Sequence, residues 1–516
     1  MLDIIVMILR YVLFGLMYSF VLIDTMHFFQ LNSYKPVTQV KWLKKNPDKI
    51  VYPVCAAVVS LIINYLIYGD GSPIAYAIIL FFVIPKKAKK PLVYTPRVKR
   101  MLASAAVVTV IPMALIHVIT KNSTAVVITQ SVYAALSPVM VLIANFINKP
   151  IEKHINNGYI NDAKRILASC PDLKIIGITG SYGKTSVKYY LHTLLQAKYN
   201  VLMTPESYNT PMGVVKTIRG SLKATDEFFI CEMGARWVGD IKELCDIVHP
   251  QHGVITSIGP QHLESFGSLE NVKKTKFELA DSLPEGGYLF LNGDDENIKA
   301  HGTNRPCIRY TVEGDGDYNA TDISVSSKGT SFTVTAPSGE SESFSTKIIG
   351  RHNVLNIVGA IAVAHTFGVP MKSLKGQVRK LEGVPHRLEL ITRGDVTLID
   401  DAYNSNPSGS KAALDALSLF DGYKIAVTPG MVELGEKQEE LNREFGRQMA
   451  KVCDYVVLVG KKQAVPMLAG LREMAYDESK IFVADTVQEA FAHVYALNSK
   501  GQNKVVLIEN DLPDNY

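Results

Sequence analysis

Cysteine is scarce in this chain of 516 residues, and its six cysteines form no CxxC pair. They lie far apart in the sequence, at Cys55, Cys170, Cys231, Cys245, Cys307 and Cys453. This scatter argues against a disulfide framework and against a cysteine-ligated zinc site, and it suits a reducing compartment. The sequence also contains no internal repeat and no low-complexity tract, so a repeat architecture is excluded.

A strong excess of either charge is missing as well, because 54 lysines and arginines face 49 acidic residues and the net charge is only +5. This balance gives no indication of a nucleic-acid partner, and we predict none. Apolar residues are plentiful instead, at 47% of the chain, and their excess lies at the N-terminal end. The length predicts three or four domains.

Residues 1–150 contain five apolar runs of roughly membrane-spanning character. They lie near 2–28, 51–68, 73–85, 101–119 and 124–147. The third run is short, and the first contains Arg10 and Asp24. Arg10 is expected to pair with Asp24 or with another polar group of the bundle, unless the first helix is tilted or re-entrant. A cleaved signal peptide is not expected, because the first run is long and others follow it.

The loops between these runs differ in charge. Loops 29–50 and 86–100 carry five and seven lysines and arginines, whereas loop 69–72 carries none and loop 120–123 only Lys121. The positive-inside bias therefore predicts cytoplasmic basic loops, an N-terminus outside the cell and everything after residue 148 inside. Topology alone accounts for these charges, and binding of lipid head groups is a further alternative. We predict a multi-pass protein of the cell membrane with cytoplasmic catalytic domains.

From about residue 151 the composition is that of an α/β protein. The stretches "LKIIGITG", "EFFICEMGA", "HGVITSIG" and "GGYLFLNGDD" alternate with amphipathic helices, which predicts a mostly parallel sheet. Between about 305 and 347 short polar-alternating pieces predict antiparallel strands. A second βα series follows "EGVPHRLEL", and it predicts a further domain.

The stretch "KIIGITGSYGKTSVKYYL", which begins at Lys174, has the character of a phosphate-binding loop. The strict motif places its first glycine at position 178, where this chain has Ile178, and the glycine lies one residue earlier at Gly177. The loop is still expected to bind phosphates, because glycines turn backbone N–H groups toward phosphate oxygens at the start of a helix. Lys184 is then expected to reach the β- and γ-phosphates, and Thr185 to bind Mg²⁺.

Other polar side chains follow neighbouring strands, where ligands gather in open parallel sheets. Glu232 ends "EFFICE" and is a candidate metal ligand, and His262 follows "VITSIG" as a second candidate. Each of these alone is more often an ordinary loop residue. Lys276 in "KKTKFELA" is less expected, since a second lysine near Mg²⁺ is repelled unless it is modified or points elsewhere.

These motifs together carry a resemblance to a known family. From about residue 174 to its end the chain resembles the Mur ligase family, and within it most closely the MurF-type ligases, which add D-alanyl-D-alanine to the peptidoglycan precursor. The matching stretches, in family order, are "GITGSYGKTS", "SYNTPMGV", "CEMGA", "HLESFGS", "KFEL", "GRHNVLN", "PHRLEL", "DDAYNSNP" and "GMVELGE". The resemblance implies a P-loop ATP-binding domain at 151–385 and a Rossmann-like ligase domain at 386–516, after the membrane region at 1–150.

The resemblance also implies an ATP site shared by both domains. Its residues would be Gly180, Ser181, Gly183, Lys184, Thr185, Ser186, Asn209, Asn353, Asn356, Arg387 and Asp401. Among them Lys184 would bind the phosphates, Asn209 would lie beside the γ-phosphate, and Asn353 and Asn356 would lie near the adenine. Arg387 would reach the γ-phosphate and Asp401 the ribose.

The same resemblance implies two Mg²⁺ ions and an amine site. Thr185 and Glu232 would hold the first ion, and His262 and Lys276 the second. Lys276 would be carbamylated, which turns a repelled ammonium into an anionic oxygen ligand. Lys184, Lys276, His262 and Arg387 would be the catalytic residues, and Asn404 and Asn406 the candidates for binding the amine.

The implied chemistry is amide formation through an acyl phosphate, driven by ATP and releasing ADP. The chain departs from the family in three places: membrane helices replace the usual UDP-sugar-binding domain, Gly430 replaces the Asp of "GDM", and the ending is "LIENDLPDNY". These departures leave open the acceptor and the amine, which is an amino acid or a dipeptide. We expect an acceptor that is lipid-linked or polymeric and held at the membrane.

Two alternatives stay open at this point. A ligase of the same chemistry would make another product, such as poly-γ-glutamate or an amino-acid-modified glycan. A membrane ATPase or transporter would also combine helices with a P-loop. It is disfavoured, because the chain has one P-loop, no LSGGQ-like stretch and few spans.

Overall fold

The computed structural model describes residues 2–66, 72–84, 90–403, 405–432, 434–499 and 501–511. Within these residues the chain forms two compact units, one that extends to Gly158 and one that begins at Tyr159. The first is helical. Its helices are α1 (Leu2–Leu31), α2 (Pro36–Lys45), α3 (Asp48–Leu66), α4 (Ser72–Val83), α5 (Pro96–Thr120), α6 (Ser123–Leu136) and the first part of α7 (Met140–Ala168), whose residues from Tyr159 belong to the second unit.

Four stretches of the described residues are long and apolar enough to cross a membrane. They are Ile4–Leu31, Asp48–Leu66, Pro96–Thr120 and Ser123–Ala168. Four of the five predicted runs meet this criterion, whereas the third run forms α4, which has only 12 residues. At about 1.5 Å per residue α4 is about 18 Å long, well short of a hydrocarbon core of about 30 Å.

Polar contacts show which segments lie at each end of α1. Near its C-terminal end, Asp24 accepts a hydrogen bond from Lys49 at 2.8 Å, and His27 Nε2 lies 2.6 Å from the carbonyl oxygen of Lys90. Near its N-terminal end, Arg10 donates to Ser123 Oγ at 2.8 Å. Arg10 and Asp24 therefore contact different groups. The start of α3 and the segment before α5 both lie at the C-terminal end of α1.

The second unit contains a nine-stranded sheet. Its strands are β1 (Lys174–Thr179), β2 (Val201–Met203), β3 (Phe228–Glu232), β4 (His252–Ile255), β5 (Leu289–Asn292), β6 (Cys307–Thr311), β7 (Tyr318–Ser326), β8 (Gly329–Thr335) and β9 (Ser341–Thr346). The order is β2-β3-β1-β4-β5-β6-β7-β8-β9. Pairing is parallel from β2 through β7 and antiparallel for β7–β8 and β8–β9. The antiparallel pairing predicted between about 305 and 347 is thus confirmed for β7, β8 and β9, whereas β6 in the same range is parallel to both of its neighbours.

Helices cover both faces of this sheet. They are α8 (Lys184–Leu195), α9 (Pro211–Ser221), α10 (Asp240–Val248), α11 (Leu263–Phe266), α12 (Leu269–Ser282), α13 (Glu296–His301), α14 (Arg351–Thr366) and α15 (Met371–Val378). Successive side chains of a strand point to opposite faces. Accordingly Ile176 and Ile178 of β1 belong to one buried cluster and Ile175 to another. Burial on both sides is why β1 is almost wholly apolar.

A six-stranded sheet follows in the same unit. Its strands are β10 (Glu389–Arg393), β11 (Val396–Asp401), β12 (Tyr423–Thr428), β13 (Tyr455–Val459), β14 (Ile481–Ala484) and β15 (Lys504–Glu509), and its helices are α16 (Pro407–Ser418), α17 (Gln438–Val452), α18 (Lys461–Glu473) and α19 (Val487–Ala496). The order is β10-β11-β15-β12-β13-β14, with only β10 antiparallel. The last strand thus lies between β11 and β12, which places Asp401 opposite Glu509.

Candidate active site

The turn between β1 and α8 requires glycine at two positions. Gly180 has φ +153° and Gly183 has φ +81°, values that side chains of L-residues disfavour. A Cβ on Gly180 would lie 2.1 Å from Thr256 Oγ1, and one on Gly183 would lie 2.6 Å from Asn356 Oδ1. The loop is therefore packed against β4 and α14, and its shape leaves no room for larger residues.

Lys184 begins α8 and folds back over this loop. Its ammonium donates hydrogen bonds to the carbonyl oxygens of Gly180 at 2.7 Å and Ser181 at 3.0 Å. Burial lowers the pKa of Lys184 to about 8, although the carboxylate of Glu232 opposes that effect. A buried cation held over a ring of backbone groups is suited to an anionic ligand, whose charge would restore the ordinary pKa.

A carboxylate lies at the centre of the site. Glu232 Oε1 accepts from Thr185 Oγ1 at 3.2 Å and from Asn209 Nδ2 at 3.0 Å, and Glu232 Oε2 lies 2.9 Å from Lys188 Nζ. Burial alone would raise the pKa of Glu232, but the charges of Lys188 and Lys184 hold it below its usual range. Glu232 is therefore ionised at neutral pH. Sequence analysis did not identify Lys188, whose only signal is its position one turn after Lys184.

The remaining loop and α14 residues have defined partners. Ser181 Oγ bonds with the backbone of Gly259 at 3.0 Å, and Ser186 bonds with Tyr190. The Asn353 amide is engaged at both ends, since its Oδ1 accepts from Tyr190 Oη at 3.2 Å and its Nδ2 donates to the Ile349 carbonyl at 2.9 Å. The predicted pair Asn353 and Asn356 therefore differ: Asn356 faces the loop at Gly183, whereas Asn353 ties α14 to α8.

Lys276 is almost fully buried on α12, 1% exposed, and its Nζ lies 6.0 Å from the ring centroid of Phe266. Burial, with a smaller effect from the charge of Lys184, holds the pKa of Lys276 well below its usual range. Phe266 ends α11, the short helix that His262 precedes with φ +52°. Backbone strain at His262 is of the kind that functional sites often contain.

Arg387 connects the two sheets of the second unit. It lies between His386 and Leu388, which have φ +60° and +50°. Its Nη2 donates to Thr185 Oγ1 at 3.2 Å, and its guanidinium lies 4.3 Å from the ring centroid of Tyr403. This backbone conformation places the guanidinium of Arg387 against Thr185, next to the phosphate-binding loop.

Asp401 and Glu509 form a buried carboxyl pair at the ends of β11 and β15. Each carboxyl affects the pKa of the other, Leu388 N donates to Asp401 Oδ1 at 3.1 Å, and Ser405 Oγ donates to Glu509 Oε1 at 2.6 Å. Burial raises the pKa of Asp401 to about 6. Burial and then the charge of Asp401 raise the pKa of Glu509 well above its usual range. At neutral pH Glu509 therefore keeps the proton that the two carboxyls share.

Two departures from the family pattern contact each other beside this pair. Asn510 Nδ2 donates to the carbonyl oxygen of Gly430 at 2.5 Å, and Asn510 Oδ1 accepts from Ser405 N at 3.0 Å. Gly430 has φ +79°, and a Cβ there would lie 2.6 Å from Asn442 Oδ1. The side chain of Asn510 thus joins the C-terminal segment to the backbone at Gly430.

The predicted amine-binding residues have different outcomes. Asn406 caps α16, since its Oδ1 accepts from Gly409 N at 2.9 Å. Asn404 lies outside the described residues.

The described residues contain no cluster of three or more His, Cys, Asp or Glu side chains suited to a metal. Mg²⁺ in nucleotide enzymes is usually held by one or two carboxylates together with waters and substrate phosphates. Glu232 and Thr185, joined at 3.2 Å beside the phosphate-binding loop, fit that kind of site.

Comparison with known proteins agrees with this geometry. The Mur ligase middle domain matches residues 178–364, and the Mur ligase glutamate ligase domain matches residues 386–509. The UDP-N-acetylmuramoyl-tripeptide–D-alanyl-D-alanine ligase of Escherichia coli is 31% identical over 346 residues, which cover 65% of this chain and 75% of that relative. The chain belongs to the Mur ligase family. It is accordingly an ATP-dependent ligase, and the predicted resemblance is confirmed.

Solved structures agree as well. MurF from Acinetobacter baumannii superposes with a TM-score of 0.63 at 26% identity, over 69% of this chain and 77% of that one. The MurF ligase from Thermotoga maritima in complex with ADP has a TM-score of 0.61 at 27% identity, over 69% of this chain and 80% of that one. Both family matches begin after the first unit, so the apolar helices are an addition to the shared fold.

Proposed function

We propose that this Mur ligase is attached to the membrane and forms an amide between a carboxylate of a cell-envelope precursor and the amine of an amino acid or dipeptide. The observation that carries the proposal is the meeting of Arg387 and Glu232 on Thr185, at 3.2 Å each. This contact unites the phosphate-binding loop, the candidate metal ligand and a cation from the C-terminal sheet. Such a convergence suits transfer of a γ-phosphoryl group.

ATP is the nucleotide substrate in this proposal. Gly180 and Gly183 shape the loop for its phosphates, and Lys184 and Arg387 neutralise them. Asn356, next to Gly183, is assigned to the adenine, and Asp401, bonded to Leu388 N, is assigned to the ribose. The ammonium of Lys184 donates to carbonyl oxygens of the loop, and it would bond to the phosphates of a bound triphosphate instead. Closure of the C-terminal sheet over the loop excludes water, which protects the reactive intermediate from hydrolysis.

Glu232 and Thr185 would hold one Mg²⁺, and His262 and Lys276 a second. Bound there, these ions would supply charge neutralisation at the phosphates. Lys276 supports its assigned role through its depressed pKa, because a larger neutral fraction of the amine is available to react with CO₂. In that reaction the amine nitrogen bonds to the CO₂ carbon and loses a proton, which leaves an anionic carbamate.

The reaction has two steps. A carboxylate oxygen of the acceptor attacks the γ-phosphorus, the bond to the β-bridging oxygen breaks, and ADP leaves. The amine nitrogen then attacks the acyl carbon of the acyl phosphate, the nitrogen loses a proton, and inorganic phosphate leaves with the amide formed. Lys184 and Arg387 stabilise the charge that develops on the transferred group.

The relatives that the chain matches are named for joining a tripeptide of UDP-N-acetylmuramic acid to D-alanyl-D-alanine. By analogy we assign the chain to peptidoglycan-related synthesis, with a carboxylate held at the membrane as its acceptor. Apolar helices in place of a UDP-sugar domain favour this acceptor, since attachment raises the local concentration of a membrane-bound partner. The positive-inside bias favours cytoplasmic catalytic domains, where ATP is available.

The test uses the detergent-solubilised full chain with ATP, Mg²⁺ and D-alanyl-D-alanine. One reaction contains the free UDP-linked tripeptide and the other its lipid-linked form, and both ADP release and product mass are measured. We expect ADP release that requires both substrates, with product mass gained mainly on the lipid-linked acceptor. Turnover by Lys184→Ala should fall at least 100-fold, because the variant lacks the positive charge that stabilises the transferred phosphoryl group. Equal ligation of both acceptors would contradict the membrane-held acceptor, and ADP release without an amine would contradict the ligase.

A further inference from the structure

The first unit contains a groove of about 670 Å³ between α1 and α5. Its walls extend from Met7 to Ile23 on α1 and from Leu102 to Val118 on α5. Two hydrogen bonds cross it: Tyr11 Oη lies 3.2 Å from His117 Nδ1, and Tyr18 Oη lies 2.7 Å from Thr109 Oγ1. The residue numbers rise on one helix and fall on the other, so the two helices are antiparallel along the whole groove.

The lining is almost wholly apolar, with residues at helical spacing on both walls, including Phe14, Tyr18, Ala106 and Met113. The polar groups of the crossing pairs already bond to each other. A hydrocarbon chain in the groove therefore leaves none of these four groups without a partner, which would otherwise be costly in an apolar medium. Gly15 lines the groove and leaves space in it, because a Cβ at this position would have no neighbouring atom within 4 Å.

The length of the groove distinguishes between kinds of lipid chain. Met7 and Ile23 are 16 residues apart, which is about 24 Å along a helix. The hydrocarbon core of a bilayer is about 30 Å thick, so a chain from one leaflet reaches about 15 Å. A chain that fills the groove crosses the middle of the bilayer. An ordinary acyl chain does not do so, whereas a long isoprenoid chain does.

The Leu102 end of the groove has positive charge. Lys99 is exposed and lies three residues before Leu102, so the two share one face of α5. The same end is the N-terminus of α5, which Thr95 caps by accepting from Val98 N at 3.2 Å. An anionic head group at this end would meet a lysine and the positive end of a helix dipole.

We propose that this groove binds the single long chain of a polyisoprenyl phosphate-type lipid, with its phosphate at Lys99. The inference rests on the proposed function in one respect, namely that such a lipid would carry the acceptor of the ligase. Lipid binding itself requires no turnover, so the two are tested separately.

The experiment places the full chain in phosphatidylcholine nanodiscs with a C55 polyisoprenyl phosphate that carries a photoreactive diazirine on its chain. After irradiation, labelled peptides are mapped by mass spectrometry. We expect labels within 7–23 and 102–118, and at least a fivefold loss of label in Gly15→Leu and in Ala106→Leu, which narrow the groove from opposite walls. Ala103→Leu is the matched control, because Ala103 is exposed on the same helix and does not line the groove. It should label as the unchanged protein does.

The charge is tested with Lys99→Gln, which should weaken labelling by the phosphate severalfold and leave labelling by the uncharged polyisoprenol unchanged. The proposal is overturned if both leucine variants are labelled as strongly as the unchanged protein. It is also overturned if added phosphatidylglycerol reduces labelling as much as unlabelled polyisoprenyl phosphate does, because the occupant would then be an ordinary bilayer lipid. Thermal unfolding shows whether Gly15→Leu or Ala106→Leu is misfolded. If one of them is, labelling of the other tests the proposal. Groove-specific labelling without ligation of a lipid-linked acceptor would refute the proposed function alone, and ligation without groove-specific labelling would refute the groove alone.

Discussion

The ammonium of Lys188 lies 2.9 Å from the carboxylate of Glu232, and both side chains are excluded from solvent, at 0% and 1% exposed. Lys188 Nζ also donates to the carbonyl oxygen of Glu206. A buried carboxylate needs a nearby cation, because isolated buried charge is strongly unfavourable. Lys188 therefore keeps Glu232 ionised and holds its carboxylate in place.

Replacing Lys188 by Met should destabilise the protein strongly. Removal of one partner of a buried ion pair leaves the other charge uncompensated, at a cost of about 3–5 kcal/mol. Mg²⁺ with ADP should recover part of the loss, since it brings a cation to Glu232. Thermal unfolding of the full chain with and without Mg²⁺ and ADP measures both effects. Lys223→Met, at an exposed site, is the control, and identical unfolding of the two variants would refute the role of Lys188.

Lys276→Ala should lose ligase activity, because it removes the predicted carbamate. A short carboxylate such as formate should restore part of the activity by occupying the vacated position. Lys274→Ala, two residues away on an exposed face of the same helix, should keep full activity. Turnover measured with and without added carboxylate checks this prediction. An experimental map with an unmodified Lys276 remote from metal would refute the carbamate.

Much of this site is predictable from the sequence, because motifs at the ends of successive parallel strands meet at one edge of a sheet. Lys184, Thr185 and Glu232 belong to that class. Lys188 was missed, since a lysine on an amphipathic helix is usually solvated. The role of Asn406 as a helix cap is predictable from the sequence, because an Asn directly before a proline is typical of a helix N-terminus.

Long-range strand order is the part that the sequence does not contain. Glu509 meets Asp401 only because β15 inserts between β11 and β12, and no local pattern specifies that insertion. The family resemblance drew attention to the unusual ending but not to the contact between Asn510 and Gly430.

The Asp401–Glu509 pair predicts a pH dependence of stability. The pKa of Asp401 is about 6 in the folded protein and 3.8 ordinarily, so between these values the folded state binds more protons than the unfolded state. Stability from this group is complete below about pH 4 and is lost as the pH rises through 6, and the raised pKa of Glu509 extends the loss to higher pH. The effect is on the order of 1–3 kcal/mol.

Glu509→Gln should reduce that dependence, because a neutral amide no longer competes with Asp401 for a proton. We expect the unfolding temperature of the unchanged protein to fall by a few degrees between pH 5 and pH 7.5, and that of the variant to fall less. Glu382→Gln, which changes an exposed glutamate, should behave like the unchanged protein. Parallel pH profiles for all three proteins would refute the carboxyl pair as the cause.

In the proposed attachment to the membrane, the number of crossings decides on which side the ligase lies. With the N-terminus outside, five crossings leave the catalytic domains inside with ATP, and four leave them outside. The short helix α4 is the crossing in question. Contacts within the first unit favour a crossing, because Lys49 bonds to Asp24 and Gln30 bonds to Val93 at 2.9 Å. The chain thus leaves and returns to the same end of α1 through α3 and α4.

Cysteine labelling should place Tyr94 inside the cell and Lys121 outside. Both residues are exposed, and they flank the long helix α5 at opposite ends. In whole cells that express a cysteine-free background, Lys121→Cys should react with an impermeant maleimide, because the N-terminal end of α1 and the start of α6 share the outer side. Tyr94→Cys should react only after the membrane is opened. Reaction of position 94 in intact cells would mean that α4 does not cross or that the orientation is reversed. Lys121 should be protected in both of these cases, since α5 is then reversed, and either result would remove the cytoplasmic ligase from the proposal.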